Sequence, residues 1–503
     1  MTISQAVATV LASAASGAVL ACPAAISAYN ATECAAGDAP AFYTGGSSAA
    51  VAGIGGGFGG DTCANPIITF QTVPAKQPAG LNTGTPATSP STPDFRAYYC
   101  SATKGALATA GIASYTLYYR ADGGSIVGAY APLNNAQINE LNLASAWCVA
   151  DTAANTFDCA TANNPTNTAQ PAGTQQITGN DITNAPADGF TGAVAKHFIP
   201  YGVSDEEPGA YGNKLGEHWA GGGNDDAVNG AFGPPYPYTF LGADATPNQL
   251  QAMNHTLLFQ QVFGFVANKG LGITDISSAA LTAILSGTTT DWSHIMNDST
   301  GNPVTAVATP IIVCQRDLGS GTRTGADIVF TGAGCNPYGV SGLALVDQHS
   351  KPNNFATADE LLCVDQNATA IGYVSIDNFS KVAPVGTTYA NTTALTLDGR
   401  SGTNKLAALG GWQYALEASF NTNAAYAKSA AETTFFNTLR AELQALNSAP
   451  ATGHVNVLPG VGGNASNASA GHLQVSTAGK TYVASFNRDT TGGGNSCNML
   501  NIH

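Results

Sequence analysis

Ala308-Thr-Pro-Ile-Ile-Val-Cys314, followed by Arg316-Asp317-Leu318-Gly319-Ser320-Gly321-Thr322-Arg323, is the stretch on which the reading of this chain turns. The short apolar run reads as a buried strand. After it come two guanidinium groups, two hydroxyls and two glycines within eight residues. The residues after Gly319 can open a helix through Thr324, Asp327, Ile328 and Phe330, and the free N–H groups of such a helix start carry partial positive charge that holds an anion without a metal. Ser320 and Thr322 add hydroxyl donors, and Gly321 lets the backbone come close to a ligand. Arg316 offers a bidentate, charge-assisted contact. A plain strand-turn-helix with a capping serine satisfies the same pattern, so the choice between the two depends on the rest of the chain.

Three further segments lie around this loop: Tyr201-Gly-Val-Ser-Asp205, Leu281 to Ile295 (LTAILSGTTTDWSHI) and Ala370-Ile-Gly-Tyr-Val374. In this order the four resemble the phosphate-binding proteins of ABC importers, the type 2 periplasmic solute-binding proteins. A looser similarity continues through Trp412 to Phe420 and Thr434 to Leu446. The resemblance implies an α/β, two-lobe periplasmic binding protein fold (type 2) with long loop-rich insertions in the first lobe. Lobe I is expected over 1–260, with insertions at 35–95 and 150–190, lobe II over 261–410, and a return to lobe I with a C-terminal segment over 411–503. Residues 261–268 are the expected crossing strand and 410–420 the return. Ligand belongs in the cleft between, where strand ends and helix starts converge.

The resemblance also implies a ligand set for phosphate or a related oxyanion: Arg316, Ser320, Gly321, Thr322 and Asp205. Ala113 to Arg120 alternates as a strand, and the turn Ala121-Asp-Gly-Gly-Ser125 stands where the family has an anion segment, which adds Ser125. Phosphate near neutral pH keeps a proton, so one acceptor among many donors is useful, and Asp205 is the expected acceptor. Sulfate has no such proton, and sites built around a required hydrogen bond reject analogues lacking it by about 10⁴ to 10⁵. Asp205 read without the other motifs is a helix cap in Ser204-Asp-Glu-Glu-Pro208. The chain departs from the family twice. Leu318 replaces an acid two places before Ser-Gly-Thr, and Val19 stands where a threonine hydroxyl is usual.

Composition narrows the functional classes. Lysine and arginine number 17 against 32 acidic residues, a net charge of -15 over 503 residues. That excludes the basic face a nucleic acid requires. Charged residues make up 10% of the chain, against about 25% in a typical soluble domain. No run of eighteen strongly apolar residues is present, so no membrane span is expected. Ten cysteines without a CxxC pair point to disulfides in an oxidising compartment, periplasmic or secreted. Sequence neighbours are expected to pair: Cys22 with Cys34, Cys148 with Cys159, Cys314 with Cys335.

The first 22 residues are apolar but lack a basic n-region, and are read as the first strand of the mature fold with 17–30 as its helix. Residues 35–95 read as loop, and Gly55, Gly57 and Gly60 satisfy GxGxxG without the strand-to-helix frame that a dinucleotide needs. Residues 224–230 carry carboxylates and amides without calcium-loop spacing, and the histidines show no zinc spacing. No metal or cofactor is expected. Neither is an enzyme, because no GxSxG elbow occurs and the serine of Gly319-Ser-Gly321 has no identifiable histidine partner. Two functions follow. One is a solute-binding protein that presents its anion to an ABC transporter permease. The alternative is a secreted structural protein on the same fold that self-associates into a fibre or surface layer, favoured by low charge and long neutral insertions.

Overall fold

The computed structural model describes residues 39–72, 95–141, 148–159, 194–208, 253–331, 350–445, 457–458, 471–487 and 501–502, short breaks apart. The expected N-terminal strand and helix, the pair Cys22–Cys34, Val19 and residues 224–230 lie outside them.

One sheet is built from β1 (Ala41–Gly45), β2 (Ile68–Thr72), β3 (Phe95–Cys100), β4 (Tyr115–Arg120), β5 (Cys148–Ala150) and β6 (Thr156–Cys159), in the order β1-β4-β3-β2-β6-β5. The expectation of loop over 35–95 is corrected here. Residues 41–45 and 68–72 are strands, and Gly53–Phe58 with Gly59–Thr62 forms a continuous helical segment. Its three GxGxxG glycines are therefore helical. Glycine disfavours helix by about 1 kcal/mol per residue, but burial of Ile54 and Phe58 against Phe435 and its neighbours overrides that preference. The second expected insertion is corrected in part as well, because Thr156–Cys159 pairs in parallel with β2.

A larger sheet is organised by β8 (Asn254–Asn268), a fifteen-residue strand that follows β7 (Tyr201–Ser204). The first half of β8 pairs antiparallel with β14 (Ala415–Thr422), which pairs with β7 in turn. The second half pairs with β11 (Ala370–Ser375) and β13 (Tyr389–Ala394). Parallel to β11 runs β9 (Ile312–Arg316), then β10 (Ser350–Asn354) beyond it, while β12 (Val382–Ala383) closes the other edge. One strand thus connects two packing environments. Val262, Phe263 and Phe265 join the cluster around Trp292, Trp412 and Tyr414. Leu258 joins the cluster around Phe42, Tyr115 and Phe435.

The helices follow from local sequence. α1 (Ser125–Asn134) starts after Gly124 at φ 73°, a left-handed position that glycine adopts at little cost. α2 (Ser278–Leu285) is capped by Ser277, and the nearby Trp292 donates its indole N–H to the Thr369 carbonyl at 2.8 Å. α5 (Ala430–Ala445) opens with a reciprocal capping box. Ser429 N–H donates to Glu432, and Glu432 N–H to the Ser429 hydroxyl, at 2.8 and 3.1 Å. Its residues Phe435, Phe436, Leu439 and Leu443 recur at helical spacing and are buried against the first sheet.

Disulfides join Cys63 to Cys100 and Cys314 to Cys363. The expected Cys314–Cys335 pair is therefore wrong. Cys363 belongs to α4 (Thr357–Gln366), which packs on the sheet over β9 and brings its Cα to 5.9 Å from that of Cys314. Sequence proximity gave way to sheet-helix packing. The ladder places Cys148 opposite Cys159.

Candidate functional site

Close backbone packing builds the floor of the site. A Cβ on Gly128 of α1 would stand 2.1 Å from the Val203 carbonyl oxygen, and one on Gly202 would stand 2.2 Å from the Gly128 carbonyl oxygen. Only glycine at both positions lets α1 lie directly on β7. The turn after β1 is held there too, Gly46 N–H donating to the Arg120 carbonyl and Ser47 N–H to the Val203 carbonyl, both at 2.8 Å. Three strand ends thereby meet at Asp205, 2% exposed.

Asp205 is met by hydroxyls. Ser125 donates to Oδ2 at 2.8 Å, and Ser47 donates to Oδ1. Burial raises the carboxyl's pKa, opposed by the Ser47 and Ser125 hydrogen bonds and by the charge of Arg316. The expected anion loop comes in against the same carboxylate. Gly321, the first residue of α3 (Gly321–Ala326), lies so close that a Cβ there would be 2.5 Å from Asp205 Cβ and 2.8 Å from Ser125 Oγ.

Arg316 ends β9 and is 1% exposed. Its guanidinium donates to Thr357 Oγ1 at 3.2 Å and to Ser48 Oγ at 3.4 Å, and its N–H donates to the Tyr373 hydroxyl at 3.4 Å. Arg323 is a brace for this strand end, donating to the Arg316 carbonyl at 3.2 Å and standing 3.8 Å from Asp327. Ser320 caps α3, its Oγ accepting from Arg323 N–H at 3.4 Å. Thr322 is buried, and its carbonyl accepts from Tyr414 at 2.6 Å. Residues 317–319 lie outside the described ones.

The structure thus brings Asp205, Ser125, Gly321 and Arg316 together, with Ser320 and Thr322 on the same helix start. Sequence reasoning missed Ser47 and Ser48, whose strand-Gly-Gly-Ser-Ser signal sits in a stretch read as loop. It also missed Thr357 on α4, which accepts from the Arg316 guanidinium. Among the described residues no cluster of His, Cys, Asp or Glu can hold a metal, and no helix is long and apolar enough to cross a membrane.

Residues 244–428 match the PBP superfamily domain. The resemblance to periplasmic binding proteins is borne out over these matched residues, and the expected mixed α/β content with several sheets is observed. No curated protein matches the chain. A putative phosphate ABC transporter substrate-binding protein from Clostridium perfringens is 19% identical, covering 41% of this chain and 73% of its own, with a TM-score of 0.31. An ABC-type phosphate transport receptor from Vibrio cholerae is 18% identical over 39% and 71%, with a TM-score of 0.28. The phosphate-binding protein of Stenotrophomonas maltophilia is 14% identical over 52% and 73%, with a TM-score of 0.31. The PBP domain contributes Arg316, Gly321 and Thr357, whereas Ser47, Ser125 and Asp205 come from residues before it.

Proposed function

We propose that the protein is an extracytoplasmic solute-binding protein that captures inorganic phosphate at Asp205, Ser125, Ser47, Arg316, Ser320, Gly321 and Thr322. The observation that carries this reading is one buried carboxylate receiving two serine hydroxyls, with Gly321 packed on it and the charge of Arg316 acting on it. Its chemistry is an exchange of donors. A phosphate that still bears a proton donates it to Asp205 in place of a serine, and the released hydroxyl turns to donate to a phosphate oxygen. Arg316 neutralises the incoming charge. Sulfate has no proton for Asp205 and meets a desolvated negative charge instead.

The two hydrophobic clusters, joined by β8 and β14, support two lobes with the site between them. Trp412, Tyr414, Ala415 and Leu416 pack with residues 262–407, and Ala418 and Phe420 with the cluster around Phe42, which supports a return to lobe I within β14 rather than at 411. The two disulfides support an oxidising, periplasmic or secreted location. Delivery to an ABC transporter permease, without catalysis, completes the reading. Titration calorimetry of phosphate-stripped protein tests it: heat with phosphate and none with sulfate is expected, and no heat with either ion would overturn it.

A further inference from the structure

Glu360 is 0% exposed on the first turns of α4 and takes no part in the site described above. Its Oε1 accepts from Tyr373 N–H at 2.7 Å, while Oε2 is buried without a hydrogen-bond partner among the described residues. Room for this carboxyl is made by Gly372, where a Cβ would stand 3.1 Å from Oε1. One helical turn earlier on α4, Thr357 accepts from the Arg316 guanidinium. The free end of a buried acid and the one ligand cation therefore share a helix face.

Resting on the oxyanion reading of the Arg316 site, we propose that Glu360 is the proton-exchanging counter-charge of Arg316: an oxyanion that engages the guanidinium brings a proton onto Glu360. It is a positioning residue, acting on ligand through Arg316. An ionised carboxyl inside the fold is tolerated only beside a positive charge. When an anion takes up that charge, protonation is the remaining way to relieve Oε2.

The groups around Glu360 favour this exchange. Arg316 of β9 is the cation that acts on it, Tyr373 of β11 presents a phenol that burial keeps neutral, and Tyr414 is a second buried phenol within its field. Facing α4 from β8 and β13 are the neutral Asn268 and Thr392. Lys351 of β10 stands at the register position of Cys314. Asp365, further along α4, is engaged by Asn391 N–H and Thr392. Burial pushes the Glu360 carboxyl up to about 8, with Arg316 opposing it, so the proton moves within an accessible pH range.

Two measurements test the proposal. In the first, phosphate is titrated into stripped protein at about pH 8.5 in buffers of differing ionisation heat, which counts protons. Wild type should take up more protons than Glu360→Gln, by up to about three-quarters of a proton, and its affinity should fall by up to about tenfold per pH unit relative to the variant. Equal counts would overturn the proposal and leave the phosphate reading standing. In the second, an infrared titration without ligand should show a buried carboxylic C=O band that wild type loses near pH 8, that Glu360→Gln lacks, and that persists to higher pH in Arg316→Gln. If phosphate gives no heat, the phosphate reading fails, and this titration then decides the Arg316–Glu360 pairing. Coincident wild-type and Glu360→Gln spectra, or no shift in Arg316→Gln, would overturn it. Should Glu360→Gln not fold, growth of the same band in wild type on adding phosphate replaces it, and no growth counts against the proposal.

Discussion

Asp205 and Glu360 are both buried carboxyls that feel the charge of Arg316, yet their surroundings differ in the number of donors supplied. Asp205 receives a serine hydroxyl on each oxygen, and hydroxyls can rotate away when a better partner arrives. Glu360 receives one fixed backbone N–H, and its other oxygen has no hydrogen-bond partner among the described residues. Rotatable donors suit a group that trades hydrogen bonds with a ligand. A fixed donor and an unsatisfied oxygen suit a group that trades a proton.

Removing the shared cation should have the largest effect. Truncating a buried, hydrogen-bonded charge costs about 2–5 kcal/mol, so Arg316→Ala is expected to lower phosphate affinity by roughly thirtyfold to several thousandfold by calorimetry. A loss under threefold would break the comparison at its centre. Asp205→Asn separates the two acids. The amide presents an NH₂ where phosphate needs an acceptor, so affinity should fall by about a hundredfold while discrimination against sulfate narrows. Retained selectivity would move the acceptor role elsewhere. Smaller again is Ser125→Ala, which deletes one hydrogen bond to a charged group, about 1.5–3 kcal/mol. The same change at Ser47 should cost a similar amount, and a large inequality between the two serines would mean that only one of them reaches the ligand.

The last prediction concerns stability. Glu360 holds its proton more tightly folded than unfolded, its pKa being raised from 4.5 to about 8. Its favourable contribution is complete below the unfolded value and is lost as pH rises towards 8, because over that window the folded state binds more protons. The raised Asp205 acts in the same direction. Melting temperature should therefore decline from about pH 5 to pH 8, and decline less steeply in Glu360→Gln, each pKa unit corresponding to about 1.4 kcal/mol. Parallel declines would assign the slope to other groups.

How much of this was legible beforehand varies with how local the cause is. The strand Ala370–Ser375, the helix ending at Leu285 and the buried Trp292 have short-range signatures and stand where their motifs placed them, whereas the strand expected over Ala308–Cys314 forms over Ile312–Arg316, later along the chain. Ser125 and Asp205 were legible through motif order. Ser47 was not, because a run of glycine, serine and alanine has weak intrinsic preferences and becomes β1, turn and helix only when Phe42, Ile54 and Phe58 find α5, almost four hundred residues away. The disulfide of Cys314 was misread for a related reason. Spacing along the chain favours Cys335, while the helix that crosses β9 carries Cys363.

By itself, the sequence determined that a buried strand is followed by a turn rich in glycine and hydroxyls that opens a helix, that the chain carries too few cations for nucleic acid, and that its motifs follow the order of a binding protein. Those are properties of composition and of contiguous residues. Only the tertiary structure decided which hydroxyls reach Asp205, that Arg323 braces the strand end while the Arg316 guanidinium donates to Thr357 and Ser48, and that the charge of Arg316 acts on both Asp205 and Glu360. Each of those depends on groups tens to hundreds of residues apart, whose separation in water carries no signal until burial withdraws their solvent and leaves them only one another as partners.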